Sequence, residues 1–392
     1  MQSGPSPGRK VPNVTLGLRV DFVGASQVLT DGSPRLSVNV EMFGGTMSQL
    51  IRTGGRAVLS RRSRNSAGVL GVPLSKGQTK AGVELTPSAL RKAGLLIKME
   101  QLGCSVFDYG DLAFQDVPQA DWNTSWSVAC AVHQVAKAVC RVIRDGHTCV
   151  TLGGDHSLAL GSVYGHSMAQ QNPAVIWVDA HADINTPLTS PTGNLHGQPL
   201  AFLLHELQDK IPSLSEFSWL SPCLSARDIV YIGLRDVDPA EHFILKNYGL
   251  RYFSTRDIDE LGIRKVMEMT LEYLMPHSKR SIHLSFDIDA FDPSVAPATG
   301  TPVPGGLTLR EGMYIAEELH NSGALSALDL VEVNPRLGSG PGAADVTLNL
   351  AMDVILSCLG KMREGMHTKG YRLPMPPTEK REEGEVQASR EV

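Results

Sequence analysis

No apolar run in these 392 residues approaches the 18 or so that a membrane-spanning helix needs, so the chain reads as soluble, without membrane insertion. Surplus basic charge is missing too. Lys and Arg number 36 against 41 Asp and Glu, a formal net charge of −5, which argues against nucleic acid as the main partner. The six cysteines (Cys104, Cys130, Cys140, Cys149, Cys223, Cys358) include no CxxC pair. That spacing excludes a zinc ribbon and points to reduced thiols over a disulfide framework. No internal repeat is visible. What remains is ordinary globular composition, 42% hydrophobic and 20% charged, at a length for two average domains or one large α/β domain.

Residues 1–46 are rich in Gly, Pro, Ser and Val without a period, which predicts a disordered N-terminal extension. Residues 47–66 carry Arg52, Arg56, Arg61, Arg62 and Arg64 among Ser and Leu, with no acidic residue. That is the composition of a mitochondrial presequence; the alternatives are a basic linker and a cytoplasmic protein. A presequence normally opens a chain, so the hypothesis is that Met47 is the working start. Retention of Met1 in the mature protein, read by N-terminal sequencing, would end that idea. Residues 67–365 alternate β-rich runs with helix-like segments, and residues 366–392 turn Pro- and charge-rich, as a flexible tail does.

Within 67–365 the pattern predicts a strand over 67–72, helices over 87–102 and 128–144, and strands near 149–152, 175–178, 228–233, 282–286 and 324–330. Alternation of this kind indicates a single three-layer α/β/α domain with a mainly parallel central sheet. Five polar clusters each follow an apolar run: His156, Asp179 to Asp183, Asp236 to Asp238, Asp287 to Asp289, and Glu332 to Asn334. Sites in parallel sheets lie beyond the carboxyl ends of the strands, so all five are expected along one edge.

Asp179, His181 and Asp183 alternate, which rules out a helix: on a 3.6-residue turn His181 would face away from its neighbours. A straight strand would hold Asp179 and Asp183 about 13 Å apart, so the chain must curl back after Asp179. Asp287 and Asp289, as i and i+2 on a strand, would point one way about 6.6 Å apart. Like charges at about 4 Å repel by roughly 4 kcal/mol at an effective dielectric near 20, so such a cluster requires cations. Carboxylate and imidazole without thiolate suit Mn²⁺, with Fe²⁺, Co²⁺, Ni²⁺ or Zn²⁺ as alternatives. Two such ions can activate a water, which points to metal-assisted hydrolysis. The further acids Asp236, Asp238 and Glu332 favour a cationic substrate.

The runs Gly153-Gly154-Asp155-His156-Ser157, Asp179-Ala180-His181-Ala182-Asp183-Ile184-Asn185, Gly193-Asn194-Leu195-His196-Gly197 and Ser285-Phe286-Asp287-Ile288-Asp289-Ala290-Phe291-Asp292-Pro293 resemble the signatures of the arginase (ureohydrolase) family. The likeness runs from about Ala67 to Gly365 and is nearest to vertebrate type II, mitochondrial members. It implies two Mn²⁺ per subunit, one held by His156, Asp179, Asp183 and Asp287, the other by His181, Asp179, Asp287 and Asp289. It implies that His196 shuttles a proton, that Thr301 lies beside the reacting guanidinium, and that Glu332 pairs with it. Asn185, Asn194 and Thr192 would receive the α-carboxylate of L-arginine, and Asp236 and Asp238 its α-amino end. Attack of a metal-bridging hydroxide on the guanidinium carbon would then yield L-ornithine and urea. The family also implies a homotrimer, with Arg310, Glu311 and Arg363 at positions associated with that contact.

Several positions depart from the family pattern. Thr192 stands where Ser is usual, Thr86 replaces a Gly, and Pro304 replaces an aliphatic residue. The stretch from Trp122 to Trp126 is shortened, and 338–344 is Gly-rich. None removes an implied metal ligand. The competing readings are an agmatinase-like ureohydrolase acting on another guanidino substrate and a non-catalytic, metal-stabilised scaffold.

Overall fold

Short aliphatic runs broken by Gly and Pro become strands, and the longer amphipathic stretches between them become crossover helices. The computed structural model describes residues 66–114, 124–276, 280–338, 340–367 and 371–375. Strand β1 (Ser66–Gly71) leads to α1 (Thr86–Lys92), α2 (Leu95–Gln101), β2 (Ser105–Asp111), α3 (Thr124–Arg144) and β3 (Thr148–Leu152). There follow α4 (Leu158–Ala169), β4 (Ala174–Val178), α5 (Pro199–Leu203), β5 (Ile229–Leu234), α6 (Pro239–Asn247) and β6 (Arg251–Ser254). The order ends with α7 (Thr255–Leu261), α8 (Ile263–Leu274), β7 (Ile282–Asp287), α9 (Leu309–Ser322), β8 (Leu325–Val331) and α10 (Ala343–Cys358).

The strands pair in parallel throughout, in the spatial order β2-β1-β3-β8-β7-β4-β5-β6. The sheet is thus wholly parallel, and helices cover both faces in three layers. Alternation along β4 shows how. Ala174, Ile176 and Val178 enter the core under α1, α2 and α8 to α10, while Val175 and Trp177 enter the opposite one. Both faces of a central parallel strand are buried, which is why its sequence is almost continuously apolar. The exception is instructive: on the α4 side β7 and β8 carry His283, Ser285 and Asp329, all fully buried. His283 Nε2 lies 2.8 Å from Asp329 Oδ2 and His283 Nδ1 lies 3.2 Å from His166 Nδ1 of α4.

Three expectations need correction. The helix expected over 87–102 is two helices, because Gly94 adopts a left-handed φ of 85° between them. Strands β2 and β6 at the sheet edges were not foreseen. β2 (SVFDYGD) is mostly exposed and polar, and β6 has only four residues, so neither shows the apolar signal of a buried strand. Finally, Asp287 and Asp289 do not share a strand face. β7 stops at Asp287, and Ile288–Ala290 turn as a 3-10 helix in which the Asp289 N–H donates to Asp287 Oδ1 (2.8 Å).

Helices α3 and α4 touch through glycine. A Cβ on Gly161 would sit 2.2 Å from the Val132 carbonyl oxygen, and one on Gly165 would sit 2.3 Å from that of Ala136. Backbone cannot swing aside as a side chain does, so the helices would have to part. Gly161→Val is expected to lower stability by about 2–3 kcal/mol, read as a drop in the denaturant midpoint. An unchanged midpoint would show that this crossing tolerates separation.

The described residues fall in one compact unit, Leu59–Val392. The extension expected at 1–46, presequence positions 47–65 and most of the tail lie outside the described residues, as does Trp122. Ser66 already belongs to β1. All six cysteines are free thiols, and no helix among the described residues is long and apolar enough to cross a membrane.

Candidate metal centre and adjoining cavity

Five neighbouring strands, β3, β8, β7, β4 and β5, deliver the five polar clusters to one edge of the sheet. The curl after β4 is real: Asp183 takes a left-handed φ of 50°, and Glu332, just past β8, takes φ 62°. Non-glycine residues in that region cost of order 1 kcal/mol or more, and such strain collects where a side chain must be aimed. Gly154 allows the β3 end to approach Leu74, whose carbonyl oxygen lies 1.8 Å from where a Cβ would be.

His156 Nδ1 lies 3.1 Å from Asp179 Oδ2, 3.0 Å from Asp183 Oδ2 and 3.1 Å from Asp287 Oδ2. His181 Nδ1 lies 3.4 Å from Asp179 Oδ1 and 3.3 Å from Asp289 Oδ2. Two ligand groups result, His156 with Asp179 and Asp183, and His181 with Asp179 and Asp289, so Asp179 is common to both. Asp287 adjoins the first group through His156.

These residues fit divalent ions on one observation above all. His156 Nδ1 is fully buried without a hydrogen-bond partner, although three carboxylate oxygens surround it. Its other ring nitrogen is 2.9 Å from Ser285 Oγ, and its ring stacks on Trp177 at 4.1 Å. The Trp177 indole N–H in turn donates to Asp179 Oδ2 (3.0 Å). A ring nitrogen held in place and surrounded by carboxylate oxygens is what a metal site requires.

The charge balance says the same. Burial opposes a charged His156, yet Asp179, Asp183 and Asp287 raise its pKa well above the ordinary range. His181 is raised likewise against burial, chiefly by Asp289 and Asp179. Burial and then Asp179 push Asp183 up to about 6, and burial followed by Asp289 raises Asp287. The cluster calls for positive charge, from protons on the imidazoles or from cations between the ligands.

Beside the centre opens a cavity of about 210 Å³. Its walls include His181, Asp183, Asp287 and Asp289 from the metal groups, together with Asn185, Thr192, His196, Asp236, Asp238 and Thr301. Asn185 Nδ2 donates to Asp238 Oδ2 (2.8 Å), and its Oδ1 accepts from Thr189 Oγ1 (2.9 Å). Thr301 Oγ1 donates to Asp289 Oδ2 (2.9 Å). Asp236 is mostly exposed, 3.7 Å from His181 Nε2. Two expected residues stand off this wall. Asn194 lines a neighbouring cavity of about 450 Å³ that shares Thr192, and Glu332 is buried beneath Gly300. Glu332 Oε1 accepts the His156 N–H (2.8 Å) and lies 3.1 Å from His196 Nδ1. Burial resists charge on His196, but Glu332, then Asp183 and Asp155, push it up to about 9.

Sequence reasoning passed over several residues here. Glu241 lines the cavity and accepts the N–H groups of Ile184 and Asp238, both at 3.0 Å; burial and Asp183 push it up to about 7. Its signal was available, since Asp238-Pro239-x-Glu241 reads as a helix start with a capping box. Asp155 accepts the Gly77 N–H (2.8 Å), and Gly77 O accepts the His196 N–H (3.1 Å). No pattern in the sequence announces that link. Thr86 is explained as well, its hydroxyl donating to Val333 O (2.6 Å) just beyond Glu332. Pro304 is exposed in a turn before Gly305 (φ 81°). Arg363 pairs with Glu317 (2.8 Å) and donates to Arg310 O (3.0 Å), and Glu311 caps α9 with Thr308.

Comparison with known proteins agrees with this geometry. Residues 65–360 match the sequence model described as the Arginase family. The chain is 57% identical over 337 residues to "Arginase-2, mitochondrial" of Homo sapiens, a span covering 85% of this chain and 95% of that protein. Among solved structures it is similar to the arginase of Bacillus caldovelox (35% identity, TM-score 0.69, 76% of this chain and 99% of that one). It is also similar to Entamoeba histolytica arginase in complex with L-ornithine (30% identity, TM-score 0.68, 76% and 98%).

Proposed function

The chain belongs to the arginase family, and from that membership we propose that it hydrolyses L-arginine to L-ornithine and urea, with two Mn²⁺ at the centre described above. The observation that carries this reading is the pair of His/Asp groups sharing the buried Asp179 beside an acidic cavity. Manganese is the preferred ion because the donors are carboxylate and imidazole with no thiolate among them. When bound, two divalent ions would lower the pKa of a water between them toward neutrality and so supply the nucleophile.

The chain's own residues supply the rest. A guanidinium stays protonated below a pH of about 12, so the substrate enters as a cation, and Asp236 and Asp238, wall acids outside the ligand groups, attract it. Thr301, tethered to Asp289, borders the reacting end. Asn185 is held rigid by Asp238 and Thr189 and keeps a second amide hydrogen for the α-carboxylate; Thr192 shares its cavity, and Asn194 is joined to Thr192 from the adjoining one. The leaving amine needs a proton. With its pKa pushed up to about 9, His196 enters protonated on both nitrogens: Nδ1–H stays against Glu332, and Nε2–H supplies the leaving amine. Glu332 adds negative charge behind the reacting carbon without itself facing open water.

Urea release by the manganese-replete protein is the test, with L-arginine and agmatine compared. Because Asn185, Thr192 and Asn194 would lose their carboxylate partner, agmatine is expected to be poorer in kcat/KM on the order of 10²-fold or more. A preference for agmatine would overturn the substrate assignment, and no urea from either would favour the scaffold reading. The mitochondrion is proposed as the compartment, supported by the arginines of 47–66 and by relatives named as mitochondrial.

A further inference from the structure

Arg235 is a cation at the acidic edge of the sheet that pairs with no carboxylate among the described residues. Its guanidinium instead spends its donors on backbone. Nη2 donates to the carbonyls of Asp289 (2.6 Å), Val303 (2.8 Å) and Phe291 (3.2 Å). Nη1 donates to Ala290 O (3.1 Å) and Gly233 O (3.3 Å), and Nε to Val303 O (3.1 Å). Its own N–H donates to Ala180 O (2.9 Å). Gly306 makes room for the fork, since a Cβ there would sit 2.7 Å from Nη2.

One residue therefore ties three strand ends together, two of them through its side chain. From the end of β5 it grips the turn that carries Asp289 and the segment two residues beyond Thr301, while its backbone braces Ala180 between Asp179 and His181. The Asp289 main chain is pinned on both sides, its N–H by Asp287 and its carbonyl by Arg235. The contacts at Asp289, Ala290, Phe291 and Ala180 fall on or beside residues of the group formed by Asp179, His181 and Asp289. None of the side-chain contacts touches His156 or Asp183. We propose that Arg235 is a positioning residue for the ion held by Asp179, His181 and Asp289, and sets its affinity separately from that of the ion held through His156. The inference rests on the binuclear reading above.

A planar fork with five donors can cap several carbonyls at once, whereas a lysine ammonium is a single point with three. The test uses the full-length protein, stripped of metal and dialysed against graded Mn²⁺. Bound manganese per subunit is then measured for the wild type, Arg235→Met and Arg235→Lys, with thermal unfolding of each metal-free protein alongside. Loss of an outer partner of a ligand typically weakens metal binding 10–100-fold. The expected result is one ion bound as in the wild type and a second weakened by about that factor, with Arg235→Lys the milder. Should Arg235→Met fail to fold, Arg235→Lys carries the comparison. Two ions at wild-type affinity in the variants, or both weakened in step, would overturn the proposal. A wild type that takes up fewer than two ions would defeat the binuclear reading itself, and this inference with it.

Discussion

Asp179→Asn is expected to abolish the paired centre: bound manganese should fall well below two per subunit and urea release by on the order of 10³-fold or more. Asp179 is the carboxylate common to both ligand groups, fully buried, with Oδ2 toward His156 and Oδ1 toward His181. The amide removes the one negative charge that both imidazoles share and presents an N–H₂ where a lone pair is needed. Several kcal/mol of charge stabilisation are at stake, and each 1.36 kcal/mol is tenfold. The substitution is nearly isosteric; its single oxygen can keep the Trp177 N–H at the expense of the His181 N–H that Oδ1 accepts (2.7 Å), one lost bond that the fold should survive. Circular dichroism and a cooperative melt of the metal-free variant check that. Two ions and full activity in a folded Asp179→Asn protein would refute the bridging assignment.

His196→Ala should separate catalysis from metal binding. His196 lies in neither ligand group, yet it lines the cavity and sits against Glu332. Its backbone is fixed independently, because the His196 N–H donates to Gly77 O, so truncation should leave the 193–197 loop in place. Loss of general acid help costs typically about 10²–10⁴-fold in turnover. The expectation is a fall in kcat of that size with manganese content unchanged at each concentration tested. If manganese were lost in parallel, His196 would have to be counted among the groups that hold the centre. If kcat were unchanged, the proton must reach the leaving amine by another route.

Arg235→Lys differs from both in its expected signature. Asp179→Asn weakens both ions, His196→Ala weakens neither, and Arg235→Lys weakens one. The three patterns of manganese uptake distinguish a shared ligand, a proton carrier and a positioning residue without reliance on activity alone.

Much of this was legible in the chain because local rules carry far in a parallel sheet. A strand buried on both faces must be apolar, and the polar residue that ends it must lie on one edge, so His156, Asp179, Asp287 and Glu332 could be set along that edge, while the order of the strands that makes them neighbours came from the fold. The curl after Asp179 followed from reach, and Asp183 with its positive φ is how the chain achieves it. Local rules failed where a neighbour decides the outcome. Asp289 turns away from the strand because Asp287 accepts its N–H, while β2 and β6, at the sheet edges, show no apolar period to read. Gly94 divides a helix that periodicity alone would have joined.

The sequence by itself determined the class of sheet, the edge on which the chemistry gathers, and the set of donors, since these follow from hydrophobic period and residue type. Only the tertiary structure decided that His156 Nδ1 is left without a partner, that Glu332 is buried off the cavity wall, and that Asn194 borders a second cavity. It alone revealed Arg235, whose partners are backbone carbonyls contributed by residues as far apart as 233 and 303. Carbonyl groups are present at every position and carry no sequence signal, so a side chain that works by capping them is visible only once the chain has folded.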